Sequence, residues 1–409
     1  MPPRPIVLAL LSLALAPGCR AFDESLLDSG TTDAGPGCEL RLPPVRPAGG
    51  EGPDVEEMVF AIRDLVVDQR DERWRTAGYD LDGLCTLTEM SPVECLPPSP
   101  SAPRETDGEG GTDNAMGHQI IPILIVAMPN FEEESRGNQN VGLGVILIRI
   151  RGWNGAANDP LVDVTLTQSV IGSSVEYTDP IVTLDVDADQ RLIINGEDWP
   201  VPAWDGNDVW WARADSFLER DIEQPRVRDD NAYVANHTLV MRLPDRFPIV
   251  LGGPTRAAQF ILTDVVFTVR ISADRQTVET SILAGRFDLT EFRRTIVSAG
   301  ACPGTSDYAS FSRVLDLAAD VRAMPGSGGP TATCDAVSVG IPFESGIRAS
   351  IVGIIDGFGT PTPCTTMDGG VPDGGSDAGA SEAGPPDSGL PDSGPSDAGP
   401  DAGPPDAGP

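Results

Sequence analysis

Hydrophobic and polar residues alternate with a period of two through most of the chain's middle. In LVDVTLTQSV, Val162, Val164 and Leu166 alternate with Asp163, Thr165 and Thr167. In DVVFTVRIS, Val265, Phe267, Val269 and Ile271 fall on one face. IVTLDVD and TVETSILA repeat the pattern, and VILIRIR sets Ile146, Ile148 and Ile150 on one side. Successive side chains of a strand point to opposite faces, so this spacing predicts half-buried strands. SADRQ, between two of them, reads as the turn of a hairpin. Many strands with few helices between them predict a mainly β fold, an antiparallel β-sandwich with accessory helices.

A 3.6-residue period is rarer. SFSRVLDLAADV puts Phe311, Val314, Leu315, Ala318 and Val321 on one stripe and predicts a helix. DLTEFRRTIV predicts another, with Asp288 and Glu291 at capping-box spacing. Together they form an expected helical hairpin near 288–323. NAMGHQIIPILIVAM fits a helix kinked at Pro122 or a buried strand, and the helix is preferred.

The ends lack either period. Residues 19–54 are rich in Gly, Pro, Asp and Thr and read as a spacer. Residues 366–409 hold nine acids, no base and no aromatic residue. Such a segment buries too little apolar surface to offset its ordering entropy, so disorder is expected there. The folded domain is expected at 55–365.

The first residues, MPPRPIVLALLSLALAPGC, have Arg4 followed by an apolar run of 11 residues, Ile6–Ala16. That run is too short to span a bilayer as a helix. With small residues leading to Cys19, it resembles a bacterial lipoprotein signal, although one residue more than usual separates Leu15 from Cys19 and Pro17 interrupts the small ones. The resemblance implies a signal peptide at 1–18, lipidation of Cys19 and anchoring to the membrane. Arg20, rather than the Asp of the inner-membrane retention rule, points to the outer membrane. The competing expectation is an ordinary secretory signal cut near Ala16.

Export gives the other cysteines a role. Cys38, Cys85, Cys95, Cys302, Cys334 and Cys364 are even in number, which in an exported chain implies disulfides. Loop length favours Cys85–Cys95 and Cys302–Cys334, with Cys38–Cys364 joining the ends. No CxxC pair occurs, which argues against zinc.

Charge narrows the partners. There are 28 Lys and Arg, all of them Arg, against 62 Asp and Glu, a formal net charge of −34. With the tail set aside, 53 acids remain, so the folded part is acidic too. Binding to nucleic acid through a general basic surface is therefore not expected.

Candidate chemistry is confined to three places. His118, in an apolar run, and His237, on an expected strand, read as packing residues rather than bases, and no GxSxG is present. Trp199, Trp204, Trp210 and Trp211 cluster in WPVPAWDGNDVWW. They either stack a sugar ring beside Asp and Asn or pack the core. Glu176, Glu197, Asp205 and Asp208 are available for a paired-carboxylate glycoside hydrolase. Finally, YDLDG and ETDGEGGTDN bring Asp80, Asp82, Asp107, Glu109, Asp113 and Asn114 to two segments separated by Cys85 and Cys95. They offer hard oxygens for Ca²⁺, with glycines to turn carbonyls inward. The pattern resembles the Asp-and-Gly calcium loops of extracellular modules. The plainer alternative makes Asp113 a helix cap and the rest solvated.

The domain weakly resembles lectin-like sandwiches. The expected function is a lipid-anchored cell-envelope protein, a non-enzymatic ligand-binding or structural surface module. Its partners would be the membrane and a carbohydrate or another envelope protein. The alternative is a carbohydrate-active hydrolase.

Overall fold

The computed structural model describes residues 38–50, 52–88, 90–99, 102–177, 181, 183–186, 192–252, 257–357 and 364. The expected signal peptide, Cys19, the first part of the spacer and the tail lie outside the described residues.

The period-two segments become long strands. β1 (Met58–Leu65), β2 (Ile146–Arg151) and β3 (Asp159–Ser173) come first. A small separate sheet follows, of β4 (Leu184–Val186), β5 (Leu192–Ile194) and β6 (Glu197–Asp198), and then β7 (Val209–Arg213). β8 (Arg228–Ala235), β9 (Thr238–Arg242), β10 (Phe247–Gly252), β11 (Ala257–Ile271), β12 (Thr277–Asp288) and β13 (Ala336–Ile355) complete the described strands.

The expectation of a sandwich is corrected: the main sheet closes into an eight-stranded barrel. The order around it is β1, β2, β3, β8, β9, β11, β12, β13 and back to β1, with every pairing antiparallel. The closing seam runs from Val59 opposite Ala349 to Leu65 opposite Phe343. Period two reports which face of a strand is buried, and that is the same in a sandwich and in a barrel. Closure comes from twist and from bulges, here between Asp159 and Val164 on β3 and at Thr263/Val266 and Arg270/Ile271 on β11. The SADRQ turn joins β11 to β12 as expected, with Ser272 N–H donating to Thr277 O.

Alternate residues fill the interior: Phe60, Ile62, Ile148, Val164, Val234, Met241, Phe267, Leu283, Val339 and Phe343 are buried there. An eight-stranded barrel is just wide enough for side chains to fill, so the lumen is core. Part of the outer wall is covered by a further strand. β7 lies parallel to the end of β13 and antiparallel to the end of β3, and it packs Trp210 and Ala212 on Val59, Ala61, Val145 and Leu147. β2 is therefore largely buried on both faces, with Arg149 and Arg151 interrupting its apolar residues.

Four α-helices are described: α1 (Ile121–Ala127), α2 (Phe131–Asn140), α3 (Leu289–Ser298) and α4 (Ser306–Ala318). A π-helical turn, Met116–Ile120, leads into α1, and Pro122 sits in its first turn, where no backbone donor is lost. α3 and α4 are the expected hairpin. Asp288 caps α3 by accepting from Thr290 and Glu291 N–H, but the capping box stays open. Glu291 turns instead to Arg246 and Arg294, each at 2.7 Å. Phe292 and Ile296 of α3 and Leu315 of α4 join the barrel core.

All six expected cysteines are bonded, but the pairing is Cys38–Cys85, Cys95–Cys334 and Cys302–Cys364, which corrects all three preferred partners. Short loops lose to backbone pairing. Leu96 N–H donates to Ala332 O and Cys334 N–H to Leu96 O, which brings Cys95 beside Cys334. Residues 38–50, expected in a spacer, also pack on the domain: Arg46 donates to Pro160 O and Asn231 O, and Tyr233 Oη to Pro44 O.

Candidate metal centre

Two loops and one helix end converge beside the Cys38–Cys85 and Cys95–Cys334 bonds. The first loop is pinned to the barrel, because Tyr79 Oη bonds Thr268 Oγ1 on β11 at 2.8 Å. It then turns on its own acids. Asp80 Oδ1 accepts from Asp82 and Gly83 N–H, and Asp82 Oδ1 accepts from Leu84 N–H. Short carboxylates that bond backbone two or three residues on make such turns. The second loop crosses it: Asp113 N–H donates to Tyr79 O, and Leu81 N–H to Asp113 Oδ2 at 2.7 Å. Asp107 Oδ2 accepts from Thr86 N–H. Asp320, just past α4, accepts from Ser338 N–H and Ser338 Oγ at the start of β13. Each carboxylate is thus fixed by protein donors at one or both oxygens.

Asp80, Asp82 and Asp113 each bring a carboxylate oxygen within 4.8 Å of the others. Asp80 is 6 % exposed, and its Oδ2 is buried without a hydrogen-bond partner. Burial pushes the Asp80 carboxyl up to about 7, and the neighbouring Asp82 adds to the rise. Burial also raises Asp82 and raises Asp113 well above its ordinary value, with the surrounding acids adding to both shifts. Asp107 and Asp320 are each pushed up to about 8, again mainly by burial. An unpartnered buried anion costs several kcal/mol, so such a cluster takes up protons or a cation. A cavity of about 20 Å³ adjoins it, lined by Asp82, Asp107, Asp113 and Asp320, with Glu94, Arg104 and Glu105 at its walls.

One nearby cation, Arg286, forms its hydrogen bonds with other groups. Arg286 is 1 % exposed and donates to Glu94, Asp264, Arg322 O and Leu81 O. It thereby fixes the loop between Asp80 and Asp82. Arg286→Ala would leave Glu94 buried with its charge unpaired. We expect a loss of about 3–5 kcal/mol by urea denaturation, against less than about 1 kcal/mol for Arg228→Ala in its exposed pair with Asp163. Equal losses would show that the burial of this pair carries no energetic weight. His118 is part-exposed rather than a core residue. It pairs with Glu105, which raises its pKa, and stacks on Trp74 with ring centroids 4.0 Å apart. His237 is placed not on a strand but in the β8–β9 turn, where Asn236 and His237 both have positive φ.

Of the six expected ligands, Asp80, Asp82 and Asp113 meet, and Asp107 lies beside them at the cavity. Asn114 and Glu109 do not take part. Asn114 is a buried hub: its Oδ1 accepts from Gly117 and Gly340 N–H, and its Nδ2 donates to Gln69 Oε1 and Ala77 O. Glu109 is exposed at the tip of the turn. Gly110 O is used by Arg41 N–H. Gly111 has φ +70°, and a Cβ there would sit 2.8 Å from Leu84 O, so it serves close packing of the two loops. Asp320 was missed, since a single acid after a helix carries no local signal.

The tryptophans do not form a platform. Trp199, Trp210 and Trp211 are buried, and only Trp204 is partly open. Arg63 covers the Trp204 ring at 4.1 Å, and its Nε1 donates to Asn140 O. Asp208 is spent on Ala203 and Trp204 N–H, while Glu176, Glu197 and Asp205 are exposed. No family model, curated protein or solved structure matches the chain.

Proposed function

We propose that this chain is an exported envelope module, anchored through Cys19, whose barrel domain is held by Ca²⁺ and works by binding or by structure rather than by catalysis. One observation carries the cation: Asp80, whose Oδ2 is buried and unpartnered, brings a carboxylate oxygen within 4.8 Å of oxygens of Asp82 and Asp113. The donors are hard oxygens, with no His or Cys among them, on irregular loops. That set suits Ca²⁺, whereas Mg²⁺ demands a stricter octahedron and zinc favours nitrogen or sulfur. The three disulfides support an oxidising location.

The hydrolase reading is weaker. A cavity of about 20 Å³ at the acids has room for one ion or one water but not for a sugar ring. Calorimetric titration of the chelator-stripped protein should show Ca²⁺ binding, and Asp80→Asn should weaken it at least tenfold. Absence of binding at millimolar Ca²⁺ would end the reading. The anchor has its own test: the wild-type protein should partition into detergent, and Cys19→Ser should release it to the aqueous phase.

A further inference from the structure

Between the π-helical turn, β11, α3 and α4 lies an apolar cavity of about 70 Å³. Met116, Ile120, Phe260, Phe292, Ile296 and Leu315 wall it, each of them buried. Thr295 is the one polar side chain in the wall, and its hydroxyl donates to Gln259 O at 2.6 Å. A water here would lack the two to four polar partners that hold buried water, so the cavity favours hydrocarbon. It is less than half the size of the apolar cavity of about 150 Å³ that takes up benzene, and so suits the end of an alkyl chain rather than a ring.

Three more of its residues belong to a second space as well. Leu124, Met128 and Phe131 line both this pocket and an open groove of about 510 Å³ along α1 and α2, a volume in the range of ligand sites. All three are half-buried, and Met128 is unbranched and adaptable, so this partition is soft. The groove has mixed walls. Val67, Ile125 and Pro129 are apolar, while Asp68, Arg70, Glu132 and Arg136 bring charge of both signs. Those charges are paired, Arg70 with Asp68 and Arg136 with Glu132. α1, IPILIVA, contains no polar residue, yet its Ile123 and Val126 are 41 % and 82 % exposed. A helix apolar all round belongs in a core or against lipid, and this one stands open beside the groove.

We propose that pocket and groove together bind the acyl chain of a single-chain zwitterionic lipid. The end of the chain fills the closed pocket, the chain passes between Leu124, Met128 and Phe131, and the head rests among the paired charges of the groove. A head of net charge would have to break the Arg70–Asp68 or Arg136–Glu132 pair, whereas a zwitterion meets both signs. This rests on the reading of the domain as a binding module, and on neither the cation nor the anchor.

Equilibrium dialysis of the full-length, oxidised protein against palmitoyl-lysophosphatidylcholine, kept below its micelle concentration, should show one lipid per chain. Val314→Phe, which fills the closed pocket, should weaken binding at least about tenfold, and Val126→Ser, on the outside of α1, less than about twofold. A readout that needs no variant to fold uses wild type labelled at its methionine methyl groups. The Met116 and Met128 resonances should shift with lipid, and that of Met324, 70 % exposed in a loop, should not. Binding that Val126→Ser weakens and Val314→Phe does not, or a shift at Met324 alone, would mean adsorption to the surface and overturns the pocket. Absence of saturable binding also overturns it, while the Ca²⁺ titration and the detergent partition stand as separate tests of the function proposed above.

Discussion

Stripped of metal, the protein is expected to melt at a lower temperature near pH 8 than near pH 5, and millimolar Ca²⁺ is expected to remove most of the difference. Burial raises the Asp80 carboxyl from 3.8 to about 7. The unfolded chain releases that proton near pH 4, while the folded chain holds it to about pH 7. Between those limits the folded state binds more protons, so stability falls as pH rises. Asp107 and Asp320, each raised to about 8, extend the window upward, and the Arg286 guanidinium beside Asp82 and Asp113 narrows it only in part. For Asp80 alone the shift is worth roughly 4 kcal/mol once pH exceeds the folded value. On the proposed reading, Ca²⁺ would supply the missing positive charge and bind the folded state alone, so it should act most strongly at the alkaline end. Thermal melts across pH, with and without Ca²⁺, check this. A stripped protein more stable at pH 8 than at pH 5 would mean that these acids are ionised without cost, and the metal reading would lose its physical basis.

Loss of the Cys95–Cys334 bond is expected to cost about 5 kcal/mol, the largest effect among the three disulfides. It joins residues 239 apart in sequence, against 47 for Cys38–Cys85 and 62 for Cys302–Cys364. Longer loops lose more freedom when closed, although only logarithmically. The bond also borders the acidic cavity, which Cys95 and Cys334 both line. The paired serine variant should therefore lose both stability and part of the gain from Ca²⁺. Guanidinium unfolding with and without Ca²⁺ would show both effects. A cost below about 1 kcal/mol would assign the tie to the Leu96–Ala332 and Leu96–Cys334 backbone bonds instead.

Strands were legible in the sequence because pleating imposes a period of two on any sheet with one buried face. Val162 to Leu166 and Val265 to Ile271 sit where that rule puts them. The barrel was not legible, because it depends on β1 meeting β13 and alternation says nothing of partners. α2 escaped because its stripe is thin: it is held through Glu132, which accepts from Val67 and Asp68 N–H, and Gln139, which accepts from Leu65 N–H. The acidic site could be read as far as local clustering carried it. Asp80, Asp82, Asp107 and Asp113 announce themselves by density, and Asp320 does not. The tryptophans follow the packing alternative. A strand lying between two layers buries both of its faces, so Trp210 and Trp211 go to opposite clusters rather than to solvent.

The seam between β1 and β13 has a consequence for how the chain comes to its shape. A ribosome delivers β1 long before β13, and until the later strand arrives both β1 and β12 present unpaired backbone edges. Folding of the barrel therefore waits on nearly the last described segment of the domain. The many long-range strand pairings make the search slow once that segment is available. During that interval the emerging chain holds exposed strand edges, open to capture by chaperones or by other nascent copies.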